Sequence, residues 1–272
     1  MLLNEHTALV TPKVLLVPYC EHHVPRYHEW MQDEVLQELT ASEPLTMEEE
    51  YSMQRSWRQD ADKLTFIVCL APPPRNPVSS IKAQIDDTSD RMVGDINLFL
   101  NPADDDDDGE DDYEGEANDA EADAALRAAA LEDAGSAPVQ QPRTKDVVGE
   151  IELMIAERSL HRQGYGRAAL LTFLTYITQS LGDILREYGR SDQNDGAMSV
   201  SSLCRLKYLR VKIGESNVSS LRLFESAGFV ATNGGPNYFG EIEMRMCLEE
   251  GSTMERLREY KGWEDVVLAK YQ

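Results

Sequence analysis

Cysteine is scarce in this chain, with four in 272 residues: Cys20, Cys69, Cys204 and Cys247, far apart and without a Cys-x-x-Cys pair. That excludes a disulfide framework and argues against a zinc site. Reduced thiols fit the cytoplasm, with the nucleus as the other permitted compartment. His22, His23 and His28 do not share a helical face well, so no metal is expected. No run approaches the ~20 apolar residues of a membrane span, and Met1–Val17 lacks a signal-peptide pattern, so no membrane partner is expected. Positive charge is also short, 26 basic against 49 acidic residues for a net of -23. A nucleic-acid binder would need a basic footprint that this composition does not supply.

The acidic excess is local. Residues 101–146 hold 16 acidic and three basic residues, a net of -13 that leaves -10 for the rest. Asp104–Asp108 is an unbroken aspartate run. Like charges at that density repel one another and have almost nothing apolar to bury, so disorder is expected there. The stretch reads as a solvated insertion, or as a docking arm for a basic partner. A second polar loop is expected over 186–204. Both interrupt ordered elements, which argues for one domain over residues 1–251, followed by a helical tail over 252–272.

The ordered elements alternate. Lys13–Pro18 reads as a strand, and His22–Leu39 as a helix with Val24, Tyr27, Met31, Val35 and Leu39 at helical spacing. Thr46-x-x-Glu49 is a capping box opening a helix through Trp57. Leu64–Leu70, Met92–Leu100 and Val147–Ile155 read as strands. Arg167–Leu181 is an amphipathic helix that Gly182 is expected to end. Leu206–Gly214 is a strand, Asn217–Ala227 a helix, Tyr238–Leu248 a strand, and Ser252-x-x-Glu255 opens a terminal helix. The order implies an α/β or α+β fold with a mixed sheet.

Chemistry concentrates where the strand ending at Ile155 turns through Gly164-Tyr165-Gly166 into the strongest helix. Glycines let the backbone approach a ligand closely, and the unpaired amides of a helix N-terminus bind an anion. Arg162 and Arg167 add positive charge, so a phosphate or pyrophosphate is the expected ligand. The Walker ending is missing and the glycine spacing is not that of the dinucleotide fingerprint.

The run Glu150-Ile151-Glu152-Leu153-Met154-Ile155, followed by His161-Arg162-Gln163-Gly164-Tyr165-Gly166, resembles the Gcn5-related N-acetyltransferase superfamily. Asn217 to Ser220, Phe224 and Gly228-Phe229 resemble a second signature of the same superfamily. The N-terminal block, from Val17-Pro18-Tyr19 through Tyr27-His28-Glu29-Trp30 to Thr40–Thr46, is similar to the N-acetyltransferase 9 family, near the ribosomal-protein alanine acetyltransferases. The resemblance implies a single acetyltransferase domain with a central mixed sheet flanked by helices, and acetyl-CoA as co-substrate. It implies that Met154 and Ile155 hold the pantetheine arm. His161, Arg162, Gln163, Gly164, Tyr165, Gly166 and Arg167 would hold the pyrophosphate, with Asn217 and Ser220 on the other side. His161 stands where the superfamily has Gln or Arg, and Phe224 where many relatives have a proton-donating Tyr.

An amine attacks a thioester only when neutral. An α-amino group, with a pKa of about 7.7–8, meets that condition far more often at neutral pH than a lysine at about 10.4. A general base raises the neutral fraction. Glu150 and Glu152 lie two apart, on one face of a strand. Both are candidate bases, and the spacing from Glu150 to Gly164 favours Glu150 by the resemblance. No cysteine sits in a nucleophile motif, so direct attack in a ternary complex is expected. The acceptor is a protein or peptide, with an N-terminal α-amine first, lysine second, and tubulin as the pointer the resemblance supplies. The alternative from another class is a catalytically silent scaffold.

Overall fold

The computed structural model describes residues 1–40, 42–73, 79–103, 144–191, 203–249 and 251–272. Ten strands form one sheet: β1 (Thr7–Val10), β2 (Val14–Pro18), β3 (Lys63–Leu70), β4 (Ser80–Ile81), β5 (Met92–Pro102), β6 (Lys145–Ile155), β7 (Cys204–Gly214), β8 (Val230–Ala231), β9 (Glu241–Met246) and β10 (Val267–Tyr271). Their order is β4-β10-β1-β2-β3-β5-β6-β7-β9-β8. The β6–β7 and β4–β10 pairs are parallel and the others antiparallel, so the sheet is mixed as expected. Six α-helices are described: α1 (Val24–Trp30), α2 (Glu34–Thr40), α3 (Met47–Gln59), α4 (Tyr165–Ser191), α5 (Val218–Glu225) and α6 (Thr253–Glu259).

Strand alternation divides the core between two faces. Leu64, Phe66, Ile96, Leu98, Val147 and Ile151 pack with α4 residues Ala169, Leu170, Phe173, Leu174 and Ile177. Phe66 meets Phe173 and Tyr176 edge-on at centroid distances of 6.0 and 5.5 Å. On the other face, Tyr19, Ile67 and Met154 pack with Val24, Tyr27, Trp30 and Met31 of α1 and its exit and with Leu36 of α2. Helices therefore cover both faces. Among the described residues α4 has the length and hydropathy of a membrane span, but it is the core helix: 61% of its most apolar window is buried inside the protein.

The structure corrects several expectations. The helix expected over His22–Leu39 breaks at Gln32–Asp33, and the Asp33 carboxylate accepts from the Val35 amide at 2.9 Å. α2 consequently buries Leu36 and exposes Val35 and Leu39. Gly182 does not end α4. Ile184, fully buried, extends the apolar stripe past it, and an exposed glycine costs a helix only about 1 kcal/mol. The loop expected over 186–204 shrinks accordingly, and residues 192–202 lie outside the described residues. So do residues 104–143 of the expected insertion, whose flanks belong to β5 and β6. Tyr238 sits in a turn before β9, held by Asn237, whose Oδ1 accepts from Phe239 and Glu241 amides. The terminal stretch is not a helical tail alone, because after α6 it adds β10 to the sheet beside β1. β1 itself was unexpected. It forms a hairpin with β2 through Thr11, whose Oγ1 accepts from the Lys13 and Val14 amides.

Candidate active site

β6 and β7 are paired from Lys145–Cys204 to Glu150–Arg210 and no further. Beyond that point β6 stays with β5 as far as Ile155, and β7 stays with β9 as far as Gly214. The two parallel strands splay, leaving the β7-side edge of β6 from Ile151 to Ile155 without a strand partner. Close approach on the other edge requires Gly94, where a Cβ would stand 1.9 Å from the Met154 carbonyl oxygen.

The splay opens into a cleft of about 780 Å³. Its walls include Met154 and Ile155 of β6, Gly164 to Arg167 at the start of α4, and Asn217, Ser220 and Phe224 on or capping α5. The 3₁₀ turn Arg158–Leu160 leads into the loop before α4. Gly164 there has φ of +85° and Arg162 has +60°, a left-handed region that glycine enters without cost. The first helical hydrogen bond runs from the Ala168 amide to the Gly164 carbonyl at 3.0 Å. The amides of Tyr165, Gly166 and Arg167 precede it and have no acceptor within the helix, the arrangement that suits helix starts to an anion. Asn217 Oδ1 caps α5 by accepting from the Ser220 amide at 3.1 Å.

Not every expected contact points inward. Gln163 donates to the Ser159 carbonyl at 2.6 Å and does not line the cleft. His161 lines it, but its Nε2 donates to the Ile155 carbonyl at 2.7 Å, pinning the loop to the end of β6. Arg167 lines it and donates to the Lys261 carbonyl at 3.2 Å. Sequence reasoning missed Leu36, Leu39, Thr40 and Arg222 among the walls. Arg222 was legible in principle, one turn after Val218 on the same side of α5.

The structure separates the two candidate bases. Glu150 accepts from Arg210 Nε at 2.8 Å, with Lys212 Nζ at 3.5 Å, so its charge is neutralised across the paired part of the strands. Glu152 lies past the last β6–β7 pair, opposite Asn97 of β5. By surface area the residue is exposed, yet protein crowds its carboxyl. That crowding, then the negative charges of Asp95 and Glu150, push its pKa up to about 7. Arg26 and Trp30 Nε1 both donate to Glu157 Oε1, at 2.5 and 2.9 Å, fixing α1 over the end of β6.

None of the four cysteines lines the cleft, and Cys69 is fully buried, with its thiol pKa raised by that burial. Phe224 is buried against Phe229 at 5.2 Å and brings no hydroxyl, while Tyr238 is 97% exposed. The histidines do come together in part. His22 and His23 each place Nε2 3.1 Å from Asp87 Oδ2, which also accepts from Tyr271 at 2.6 Å. Donor atoms of Cys20, His22 and His23 lie within 4.8 Å of one another. Both His23 ring nitrogens have hydrogen-bond partners: Nδ1 accepts from the Cys20 amide at 3.0 Å, and Nε2 donates to Asp87.

The model of the acetyltransferase (GNAT) domain matches residues 13–230. The chain belongs to the GNAT acetyltransferase family. It is 36% identical over 247 residues to an N-acetyltransferase 9-like protein of Schizosaccharomyces pombe, covering 90% of this chain and 98% of that one. It is 37% identical over 254 residues to the alpha/beta-tubulin-N-acetyltransferase 9 of Homo sapiens, covering 92% and 87%. With the protein of that name from Drosophila melanogaster it shares 38% over 232 residues, covering 85% and 82%. It is an N-acetyltransferase that uses acetyl-CoA as co-substrate. The GNAT cleft fits that co-substrate: a helix start with unpaired amides and a left-handed glycine for the pyrophosphate, Arg162 and Arg222 as cations in an acidic protein, and the open edge of β6 for an amide-bearing arm. Bound there, acetyl-CoA supplies an activated acetyl group to an amine.

Proposed function

We propose that this enzyme acetylates the N-terminal α-amine of a protein acceptor, that the acceptor is tubulin, and that Glu152 is the general base. The observation that carries the base assignment is the contrast between the two glutamates. Glu150 is held by Arg210 and Lys212, while Glu152 lies past the last β6–β7 pair, with its pKa raised to about 7. A base is most useful when its pKa lies near the working pH. An α-ammonium, with a pKa of about 8, is matched to such a base; a lysine at about 10.4 is not. The names of the human and fly relatives support tubulin as the acceptor. Cysteines that are all free support a reducing compartment, the cytoplasm.

The chemistry follows from these groups. Glu152 takes one proton from the acceptor ammonium. The neutral amine attacks the thioester carbon, the C–N bond forms and the C–S bond breaks. Of the two protons left on the nitrogen, one goes to the leaving thiolate and the other stays as the amide N–H, and no cysteine is positioned to interpose a covalent step.

The test is turnover against short peptides with the tubulin N-terminal sequence, free or blocked at the α-amine, with and without lysine. Glu152→Gln is expected to lower kcat by about 10²–10⁴ while acetyl-CoA still binds, and Glu150→Gln to lower it much less. Acetylation of blocked lysine peptides at the same rate would overturn the α-amine assignment. Full activity of Glu152→Gln would overturn the base.

A further inference from the structure

Nine buried side-chain atoms of the described residues have no hydrogen-bond partner, and five of them are Tyr19 OH, His28 Nδ1, Glu50 Oε2, Thr65 Oγ1 and Asn97 Oδ1. These five belong to residues on one side of one sheet. Thr65, Asn97 and Glu152 are direct cross-strand partners on β3, β5 and β6, in a single row on the face that α1 and α3 cover. Tyr19 follows β2 at the end of that row and meets Tyr27 of α1 at a tilt, ring centroids 5.3 Å apart. Glu50 of α3 points into the same space, with Oε1 3.8 Å from His28 Nδ1. Gln54, one turn further along α3, donates to the Tyr19 carbonyl at 2.8 Å. Asp95 closes the group, accepting from Asn97 Nδ2 at 2.8 Å and Tyr27 OH at 3.4 Å.

Tyr19, Glu50, Thr65, Asp95 and Asn97 are each at most 5% exposed. Among the residues of the row, Glu152 is exposed and the His28 side chain is 19% exposed, so the row reaches the surface at both. Unpaired buried polar atoms in such number are satisfied by ordered water. Directly opposed side chains on one face of a sheet are immediate neighbours, so one water can hydrogen-bond to both.

We propose that this buried polar row is a hydrated proton exit running from Glu152 past Asn97 and Thr65 to Glu50 and His28. This rests on the assignment of Glu152 as base. The reaction converts an ammonium and a thioester into an amide, a thiol and one proton, and that proton must reach solvent. When coenzyme and acceptor fill the splay they cover the direct way out. The row offers a second way, on the opposite side of β6 from α4. The charged and titratable groups that face it are Tyr19, Tyr27 and His28, Glu50, Asp95, and Glu150 with its Arg210 and Lys212 partners. Burial raises the carboxyls of Glu50 and Asp95, the latter to about 6, which keeps both able to exchange a proton near neutral pH. Glu50 and His28 act through Glu152 and are positioning residues, not catalytic ones.

His28→Ala, Glu50→Gln and Thr65→Val test the path. The last removes a hydroxyl at nearly constant shape. Each is expected to lower kcat about tenfold or more, with the KM for acetyl-CoA unchanged and a larger solvent deuterium isotope effect on kcat. Imidazole added to His28→Ala is expected to restore kcat in proportion to its free-base concentration. Rates within twofold of the parent with an unchanged isotope effect would overturn the proposal. So would a change confined to the acceptor KM, which would mark the row as part of the acceptor site. If His28→Ala does not fold, the isotope effects of the other two decide. Glu152→Gln in the same assay separates the two failures: inactivity of Glu152→Gln beside three active path variants rejects the exit but keeps the base.

Discussion

At the scale of single residues, Gly164 is the position proposed to govern coenzyme binding. Its φ of +85° is a conformation that costs other residues roughly 1–2 kcal/mol. It lines the cleft at the start of α4, where an added carboxylate would oppose a pyrophosphate. Gly164→Glu is therefore expected to abolish acetyl-CoA binding, measured by calorimetry on folded protein. Gly164→Ala is expected to weaken it while leaving room, since a Cβ there meets only the Lys13 side chain, at 3.5 Å. This loop was legible in the sequence because its rules are local: glycine before a helix start, with arginines beside it. The difference in surroundings between Glu150 and Glu152 was not. It depends on Arg210 opposite one and Asn97 opposite the other, residues 60 and 55 positions away. Two glutamates spaced by two look alike until their cross-strand neighbours are known.

At the scale of elements, β10 shows how far a short strand depends on context. Its five residues carry little signal of their own and become a strand because β1 presents an open edge. The joint is sealed by Tyr271, whose hydroxyl donates to Asp87 within the pair of histidines. Burial alone would raise Asp87, but hydrogen bonds from His22, His23 and Tyr271 overcome it and hold the carboxyl well below its usual range. Tyr271→Phe is expected to cost about 1–3 kcal/mol, seen as a Tm lower by about 2–4 °C for each kcal/mol. Acetyl-CoA affinity is expected to hold, because four strands separate β10 from β6. The long helices and central strands were legible from periodicity. The break after Trp30 and the continuation past Gly182 were not, since an aspartate cap and a single buried isoleucine decide them against the local pattern.

At the scale of the whole molecule, buried carboxyls give stability a definite pH dependence. The folded chain holds the Asp95 proton more tightly than the unfolded chain, with a pKa of about 6 against 3.8. Its favourable contribution is present at low pH and is lost as pH rises through about 4 to 6, by roughly 3 kcal/mol in all. Glu50 and Glu152 act in the same direction, and Asp87 in the opposite one at lower pH. In chemical denaturation, Asp95→Asn is expected to gain on the parent between pH 5 and pH 8 by roughly 1–2 kcal/mol. An equal difference at both pH values would reject the burial of an ionised Asp95.

The acidic segment is tethered at the far end of this molecule. Pro102 pairs with Val147, and the Ala103 amide bonds to the Asp146 carbonyl at 3.0 Å, so the two attachment points are neighbours in one hairpin. From Lys145 the strand runs about 30 Å before it reaches Ile155 and the cleft. The two attachment points thus stand the length of β6 away from the cleft. The position is a natural graft point: a fluorescent or affinity module whose own ends lie close together can replace the segment and report on the working enzyme from outside it.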